Sequence, residues 1–307
     1  MTEPKYALIV INWRTPQLTT AALRSAQKMA ADPASLRFII IDNHSGDDSL
    51  AIFANELPEA EVHEMPGNLG FAKAVNAGLA LVREPYAFIL NSDIEFLNDA
   101  ISILADRLDG DPKAVLACPK LLRPNGSMQA AAVPEPKIHW ELTNRSLPRH
   151  LMTIHENEPT VVPGVVGPCM AVHMARVQDV GFLDERFFFF FEETDWCKRI
   201  SDRGQHVLFV PAAEIIHLQG ESANKRPVQA RIQFYLSRYK YFRKHNGALG
   251  VGILYLGISL RLTLNLLIHS LLVLLTFGKA RHRDRVIVYA HLWVWHLRLC
   301  QPKWAFE

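Results

Sequence analysis

Cysteine is scarce. The four in this 307-residue chain, Cys118, Cys169, Cys197 and Cys300, form no CxxC site and no dense disulfide pattern. That excludes a small stapled secreted fold and fits a reducing compartment. Charge bias is also lacking, with a formal net charge of +2, so there is no general electrostatic case for a nucleic-acid partner. The glycine fingerprints of common nucleotide folds are missing. Pro66-Gly67-Asn68-Leu69-Gly70-Phe71 is neither GxGxxG nor GxxxxGK[ST], and its simplest role is a tight turn that lets backbone amides approach a ligand. Met1–Lys5 leads directly into a strand-like run without signal-peptide architecture. What is present is length enough for a sizeable core, read as one large domain plus an extension.

The first half alternates strand and helix. Tyr6–Ile11, Phe38–Ile41 and Tyr86–Leu90 are apolar runs of buried-strand length, and Val62–Met65 reads as an edge strand. Gln17–Ala31, residues 49–57 and Ala72–Val82 read as helices, with Leu18, Ala22, Ser25 and Met29 on one face of the first. This alternation predicts crossover units and a mostly parallel sheet. The strands end in polar residues: Asn12, then Asp42-Asn43-His44-Ser45, then Asn91-Ser92-Asp93 with Glu95 two residues on. Open α/β sheets bind ligands at the carboxyl ends of their strands, so Asn12, Asp42, Asn68 and Asp93 are expected along one rim. Each acid has two readings. Asp93 holds a cation that in turn holds a diphosphate, or Asn-Ser-Asp turns the chain and caps a helix. Asp42 accepts from a pyrimidine N3 or a ribose hydroxyl, or closes an Asx-type turn with Ser45; these two are compatible.

In the second half Ala100–Leu108 reads as a helix, Val115–Leu116 as a strand, and Pro119–Gly126 as a strand with a hairpin turn. Residues 130–160 read as a long loop with one short helix, where acceptor-specific structure is expected. Val161–Ala171 is small and apolar, with glycines that permit close backbone approach. Phenylalanines 187–191 then run into Glu192-Glu193-Thr194-Asp195. A carboxylate beside a dry aromatic wall gains a raised pKa and suits a general base. The alternative is an acid-rich first turn of a helix, on which Arg199 falls one turn beyond Asp195. Val207–Val210 and Ala213–His217 read as two strands. His217 is either a satisfied core histidine or an imidazole for the cation of Asp93. Arg226, Arg231, Arg238, Lys240, Arg243 and Lys244, interleaved with Tyr235, Tyr239 and Tyr241, make a basic helix. It is suited to a diphosphate or anionic lipid, or is simply solvated.

Taken in order, Val10-Ile11-Asn12-Trp13, Asp42 to Ser45, Asn68 to Phe71, Leu90 to Asp93, Gly181 to Phe188, Glu192 to Asp195, and His217 with Gly220 and Ser222 resemble the family 2 glycosyltransferases across most of residues 5–245. Within that family the pattern is most similar to bacterial rhamnosyltransferases acting on polyprenyl-diphosphate-linked sugars. The resemblance implies the α/β GT-A nucleotide-diphospho-sugar transferase fold and an inverting reaction that uses Mg²⁺ or Mn²⁺. It implies that Asp42 binds the pyrimidine nucleoside and that Asn12 and Asn68 line its pocket. Gly70, Asn91, Ser92 and Arg199 complete the donor side, and Asp93 and His217 hold the metal or the diphosphate. Asn91 stands where the DxD-type motif has its first acid, with Glu95 as a nearby substitute. Glu193 stands at the usual base position, where the family has Asp; Asp195 positions the acceptor or pairs with Arg199, and Glu192 orients the acceptor or caps the helix. The implied donor is dTDP-L-rhamnose, with UDP-galactofuranose, UDP-glucose and UDP-N-acetylglucosamine as alternatives. The two departures from pattern leave open a non-catalytic nucleotide-binding scaffold.

The remaining bias lies at the C-terminal end. Gly250–Leu260 and Leu262–Phe277 are apolar, separated by Arg261. Together they exceed the roughly 20 residues that cross a bilayer, with a costly charge near the middle. Gly278–Arg285 is basic, and Val286–Leu299 mixes aliphatics with Trp293, Trp295, His291, His296 and Arg298. Tryptophans and basic residues favour an interface. Helices lying in, or dipping into, the cytoplasmic leaflet of a bacterial plasma membrane are therefore expected, with anionic lipids as partners; homo-oligomer packing is the alternative. The expected organisation is a catalytic domain over 1–245, with a nucleotide-binding half 1–98 and an acceptor half 99–245, then a helical membrane-association region over 246–307.

Overall fold

The computed structural model describes residues 4–143, 158–218 and 227–301. Arg226, Gly220, Ser222 and residues 144–157 of the expected acceptor loop lie outside the described residues. The chain divides into two compact units: the first holds the described parts of Met1–Glu135, Arg149–Arg186 and Glu192–Glu221, the second those of Pro136–Pro148, Phe187–Phe191 and Ser222–Glu307. The division thus falls before the expected boundary at residue 245, and two upstream segments belong with the C-terminal helices.

In the first unit, β1 (Tyr6–Asn12) is followed by α1 (Pro16–Met29), β2 (Leu36–Asp42), α2 (Ser49–Glu56), β3 (Glu61–Glu64), α3 (Phe71–Leu79) and β4 (Tyr86–Leu90). Ala7–Val10, Phe38–Ile41 and Ala87–Leu90 are buried, as near-continuous apolar strands of a parallel sheet must be. β1 lies between β2 and β4 and is parallel to both, with Asn12 opposite Asp42 and Val10 opposite Leu90. Three strand ends therefore share one rim. α1 opens on Pro16, where a missing N–H costs nothing, and buries Thr19, Ala22, Leu23 and Ala26. Of the expected Leu18, Ala22, Ser25 and Met29 face, Ala22 is buried and the other three are half-buried. α3 approaches the sheet closely: a Cβ at Gly78 would stand 2.5 Å from Ile9 Cγ2.

After β5 (Ile94–Phe96) and α4 (Ala100–Gly110) come β6 (Ala114–Leu122), β7 (Met128–Gln129) and β8 (Ala132–Val133). The second unit's α5 (Ile138–Thr143) intervenes before β9 (Thr160–Val161), β10 (Gly164–Val165), β11 (Cys169–His173), α6 (Met174–Val177), α7 (Glu192–Ser201) and β12 (His206–His217). The large sheet runs β3-β2-β1-β4-β11-β6-β12-β5. β11 is antiparallel to both β4 and β6, so the expected mostly parallel sheet is instead mixed. Parallel neighbours need a crossover between them, whereas an antiparallel entry does not. β12 is one strand with an irregularity between Val210 and Glu214, not two; Pro211, which lacks an N–H, interrupts the ladder there.

The second unit contains α5, α8 (Pro227–Leu275) and α9 (Ala280–Leu297). α8 breaks at Gly247, where φ is 69°, a left-handed conformation that suits glycine. Tyr235, Tyr239 and Tyr241 are buried in this unit's core, with Phe191 packed against Phe234 and Tyr241. Arg238 is buried too. It stacks on Phe234 and Tyr235 and pairs with Glu141 at 3.1 Å, so this part of the basic helix is core and not a solvated surface. Arg261 donates to Glu141 O at 2.7 Å and to Tyr235 Oη at 3.2 Å, which offsets the expected cost of its place in an apolar run. Trp295 is buried and Trp293 donates to Thr263 Oγ1. The expectation that these tryptophans anchor an interface is thus corrected: they pack α9 against α8. The other side of α8 exposes Ile253, Leu256, Leu260, Leu264, Leu267 and Leu271, at helical spacing. α8 is long and apolar enough to cross a membrane by length and composition, and only 17% of its most apolar stretch is buried.

Candidate active site

The rim begins with a buried polar knot. Asn12 Nδ2 donates to Asp42 Oδ2 at 2.6 Å and reaches the hydroxyls of Ser45 and Ser49 at 3.1 Å each. Its Oδ1 accepts from Thr19 at 3.0 Å. Asp42 also takes the Ser45 N–H at 2.8 Å and the Ser45 hydroxyl at 2.6 Å, so the Asx-type turn is present. Asn12 is fully buried and its amide is spent on these neighbours. It therefore holds Asp42 in place, whereas sequence reasoning put it on the pocket wall. Asn43, which no motif marked as a site residue, ties the glycine turn to β2. Its side chain donates to Asn68 Oδ1 at 3.0 Å and accepts from the Leu69 N–H at 3.0 Å. Asn68 itself is exposed, and Gly70 opens α3 at φ 87°, where a side chain would be strained.

The second part of the rim joins β4 to β12. Asn91 N–H donates to Pro168 O at 2.9 Å, and Ser92 Oγ lies 3.0 Å from Thr15 Oγ1. Asp93 O accepts from the Leu218 N–H at 2.9 Å, which draws the end of β12 alongside. His217 Nε2 consequently sits 3.4 Å from Asp93 Oδ1, and both residues are 8% exposed. The two strand ends expected to meet do meet. His217 Nδ1 faces the buried Gln129, 2.9 Å from its amide nitrogen and 3.3 Å from its oxygen. Gln129 carries no sequence signal, because only the β6–β7 hairpin brings it to the histidine. Glu95 is exposed on β5 while Ile94 and Phe96 are buried; strand alternation thus removes it as a substitute acid. Among the described residues no group of three or more His, Cys, Asp or Glu converges. Asp93 and His217 offer one hard oxygen and one imidazole nitrogen. An octahedral Mg²⁺ or Mn²⁺ can take such a pair and fill its other positions with diphosphate oxygens and water.

A third group stands on the first turn of α7. Glu192 is buried and Glu193 half-buried, and the Oε2 of each is sealed from solvent without a hydrogen-bond partner. Burial pushes the Glu193 carboxyl up to about 7. Burial also raises Glu192, and the neighbouring Glu193 charge raises it further. Burial thus favours the protonated form of both carboxyls. Asp195 is fully buried and pairs with Arg199 Nε at 2.8 Å. Arg199 also donates to Val180 O at 2.8 Å and Phe182 O at 2.6 Å. The expected pairing of Arg199 with Asp195 one turn away is thus present, and its planar fork also braces the turn over residues 180–182. One loop touches both centres. Pro168 accepts from Asn91, and a Cβ on Gly167 would lie 3.9 Å from Glu193 Cγ. The close approach expected of the glycines in Val161–Ala171 falls instead at Gly164, where a Cβ would stand 3.3 Å from Val133 Cγ2 and O.

The model described as glycosyl transferase family 2 matches residues 8–175. The N-acetylglucosaminyl-diphospho-decaprenol L-rhamnosyltransferase of Mycobacterium tuberculosis is 24% identical over 231 residues, covering 68% of this chain and 75% of that protein. Among solved structures, mannosyltransferase PcManGT from Pyrobaculum calidifontis, in complex with GDP-Man and Mn²⁺, has a TM-score of 0.56 at 13% identity and covers 97% of this chain and 88% of that one. GalNAc-T7 with UDP, GalNAc and Mn²⁺ has a TM-score of 0.56 at 13% identity and covers 80% of this chain, which spans 51% of that longer protein. At such identity the likeness is one of fold, a GT-A-like α/β fold with a mixed sheet.

Proposed function

The chain belongs to the family 2 glycosyltransferases, and on that premise we propose that it moves a sugar from a nucleoside diphosphate to a polyprenyl-diphosphate-linked sugar with inversion. The observation that carries this reading is the Asp93–His217 pair at 3.4 Å, linked through the Gly167–Pro168 loop to Glu193, whose Oε2 has no hydrogen-bond partner. Asp42, held by Asn12 and Ser45, would accept from the nucleoside. Glu193 takes the acceptor hydroxyl's proton as the oxygen attacks the anomeric carbon from the face opposite the diphosphate. The bond to the diphosphate breaks, and nucleoside diphosphate leaves. Glu192 orients the acceptor sugar. A divalent cation on Asp93 and His217 would neutralise the charge growing on the diphosphate.

For the donor, the broader nucleotide-sugar reading is favoured. The fold relatives were solved with UDP and GalNAc and with GDP-Man, and dTDP-L-rhamnose is supported by likeness to the mycobacterial enzyme alone. The exposed apolar side of α8 supports attachment to the cytoplasmic leaflet, where lipid-linked acceptor would meet soluble donor. Lys279, Arg281, Arg283 and Arg285 leave α9 an apolar stretch of only about 18 Å at 1.5 Å per residue. That is short of a hydrocarbon core of about 30 Å, so the helical pair fits an in-plane placement near anionic lipid. The test is the full chain with membrane extract, Mn²⁺ and a panel of dTDP-, UDP- and GDP-sugars. Transfer from one or more donors is expected. Nucleotide binding without transfer or donor hydrolysis across the panel would make the chain a scaffold and overturn the proposal.

A further inference from the structure

We infer that Gln129 is a positioning residue: it decides which ring nitrogen of His217 carries the proton, and so whether His217 offers Nε2 to a divalent cation. This rests on the reading of Asp93 and His217 as the cation pair. Gln129 is 5% exposed and His217 8%, so water competes poorly for the contact between them. The geometry is rigid. β6 pairs with β7 at Leu121–Gln129 and with β12 at Ile216–Leu122, and this one strand sets the spacing of both residues.

A neutral imidazole carries one N–H and one lone pair, whereas a primary amide offers both a donor and an acceptor. With the amide nitrogen, 2.9 Å from Nδ1, donating to the ring, the proton sits on Nε2 and faces Asp93 Oδ1 at 3.4 Å. With the amide oxygen, now 3.3 Å away, turned to accept from Nδ1–H, the proton leaves Nε2. Its lone pair then stands beside the Asp93 carboxyl, which is the arrangement a cation requires. A half-turn about the last side-chain bond of Gln129 exchanges the two forms without moving any strand. Glutamate at this position accepts only and fixes the cation-binding form. Methionine fills similar space but can do neither.

The experiment compares the full chain with Gln129→Glu and Gln129→Met. It reads the ring ¹⁵N shifts of His217 without metal, and then Mn²⁺ affinity by electron paramagnetic resonance. Gln129→Glu is expected to hold Nδ1–H and to bind Mn²⁺ at least as tightly as the native chain. Gln129→Met is expected to weaken Mn²⁺ about 10- to 100-fold, as loss of a histidine's outer partner does, while the melting curve stays two-state. Native Mn²⁺ affinity in Gln129→Met, or one ring pattern in all three proteins, overturns the inference. A native chain that turns over a donor without binding Mn²⁺ also overturns it and leaves the transferase reading intact. A Gln129-dependent Mn²⁺ site in a chain that turns over no donor supports the inference and sinks that reading instead.

Discussion

Replacing Glu193 with Gln keeps the side chain's length and removes its ability to take a proton. Turnover should fall about 10²- to 10⁴-fold, the usual contribution of a general base, with donor affinity almost unchanged. The native pH profile should carry the signature of the buried carboxyl. With the Glu193 carboxyl raised to about 7, the rate should climb about tenfold per pH unit below that value and level off above it. Glu193→Gln should lose that limb. The same shift has a stability consequence of fixed sign. A carboxyl whose folded pKa lies above its unfolded one stabilises the fold while protonated. That contribution is complete below the ordinary value of 4.5 and is lost as pH rises through about 7. At about 1.4 kcal/mol per tenfold change in proton affinity, the step from 4.5 to about 7 is on the order of 3 kcal/mol. Glu193→Gln should therefore be the more stable protein at pH 8 and close to native at pH 4.5, as read by urea denaturation at both pH values. Near-native turnover with an unchanged acid limb, or a variant less stable than native at pH 8, would refute the reasoning.

Asp93→Asn should lose most activity and Mn²⁺ binding with an unchanged circular dichroism spectrum; full turnover with the same metal dependence would remove Asp93 from the site. Arg199→Met takes the ion-pair partner from a fully buried Asp195 and should cost about 3–5 kcal/mol in urea denaturation, with Asp195→Asn recovering part of the loss in the double variant. A cost under 1 kcal/mol would mean the brace is dispensable. Leu256, Leu260 and Leu264 are 69%, 62% and 49% exposed. Changing all three to Gln should release the full chain from phosphatidylglycerol vesicles in co-sedimentation, since each leucine contributes about 2 kcal/mol when buried in lipid. Undiminished sedimentation would place the anchor elsewhere.

Strand ends were the most legible feature of the sequence. Tyr86–Leu90 matches β4 residue for residue, because five apolar residues bounded by polar ones admit little else. The rim of Asn12, Asp42 and Asp93 follows from strand order alone. Strand direction was not legible: β11 enters antiparallel beside β4 after a stretch whose irregular composition carries no directional signal. Partners brought by tertiary pairing were hidden for the same reason. Gln129 reaches His217 only through a hairpin, and Asn43 is an ordinary polar residue until the Asn68–Gly70 turn folds onto it. The neighbours of Arg199, Trp293 and Trp295 were not legible, because composition shows a side chain's affinities and not which neighbour arrives first. Arg199 found three backbone carbonyls, and the tryptophans found α8 and the chain just beyond α9.

Direct displacement by a Glu193-activated hydroxyl fixes the stereochemistry of the product. The most direct measurement is the anomeric configuration of the transferred sugar, read from the one-bond carbon–proton coupling of a ¹³C-labelled donor that turns over in the panel. The account predicts a configuration opposite to that of the donor. Retention would contradict it, because it would require front-face attack or two successive displacements through an enzyme-bound intermediate.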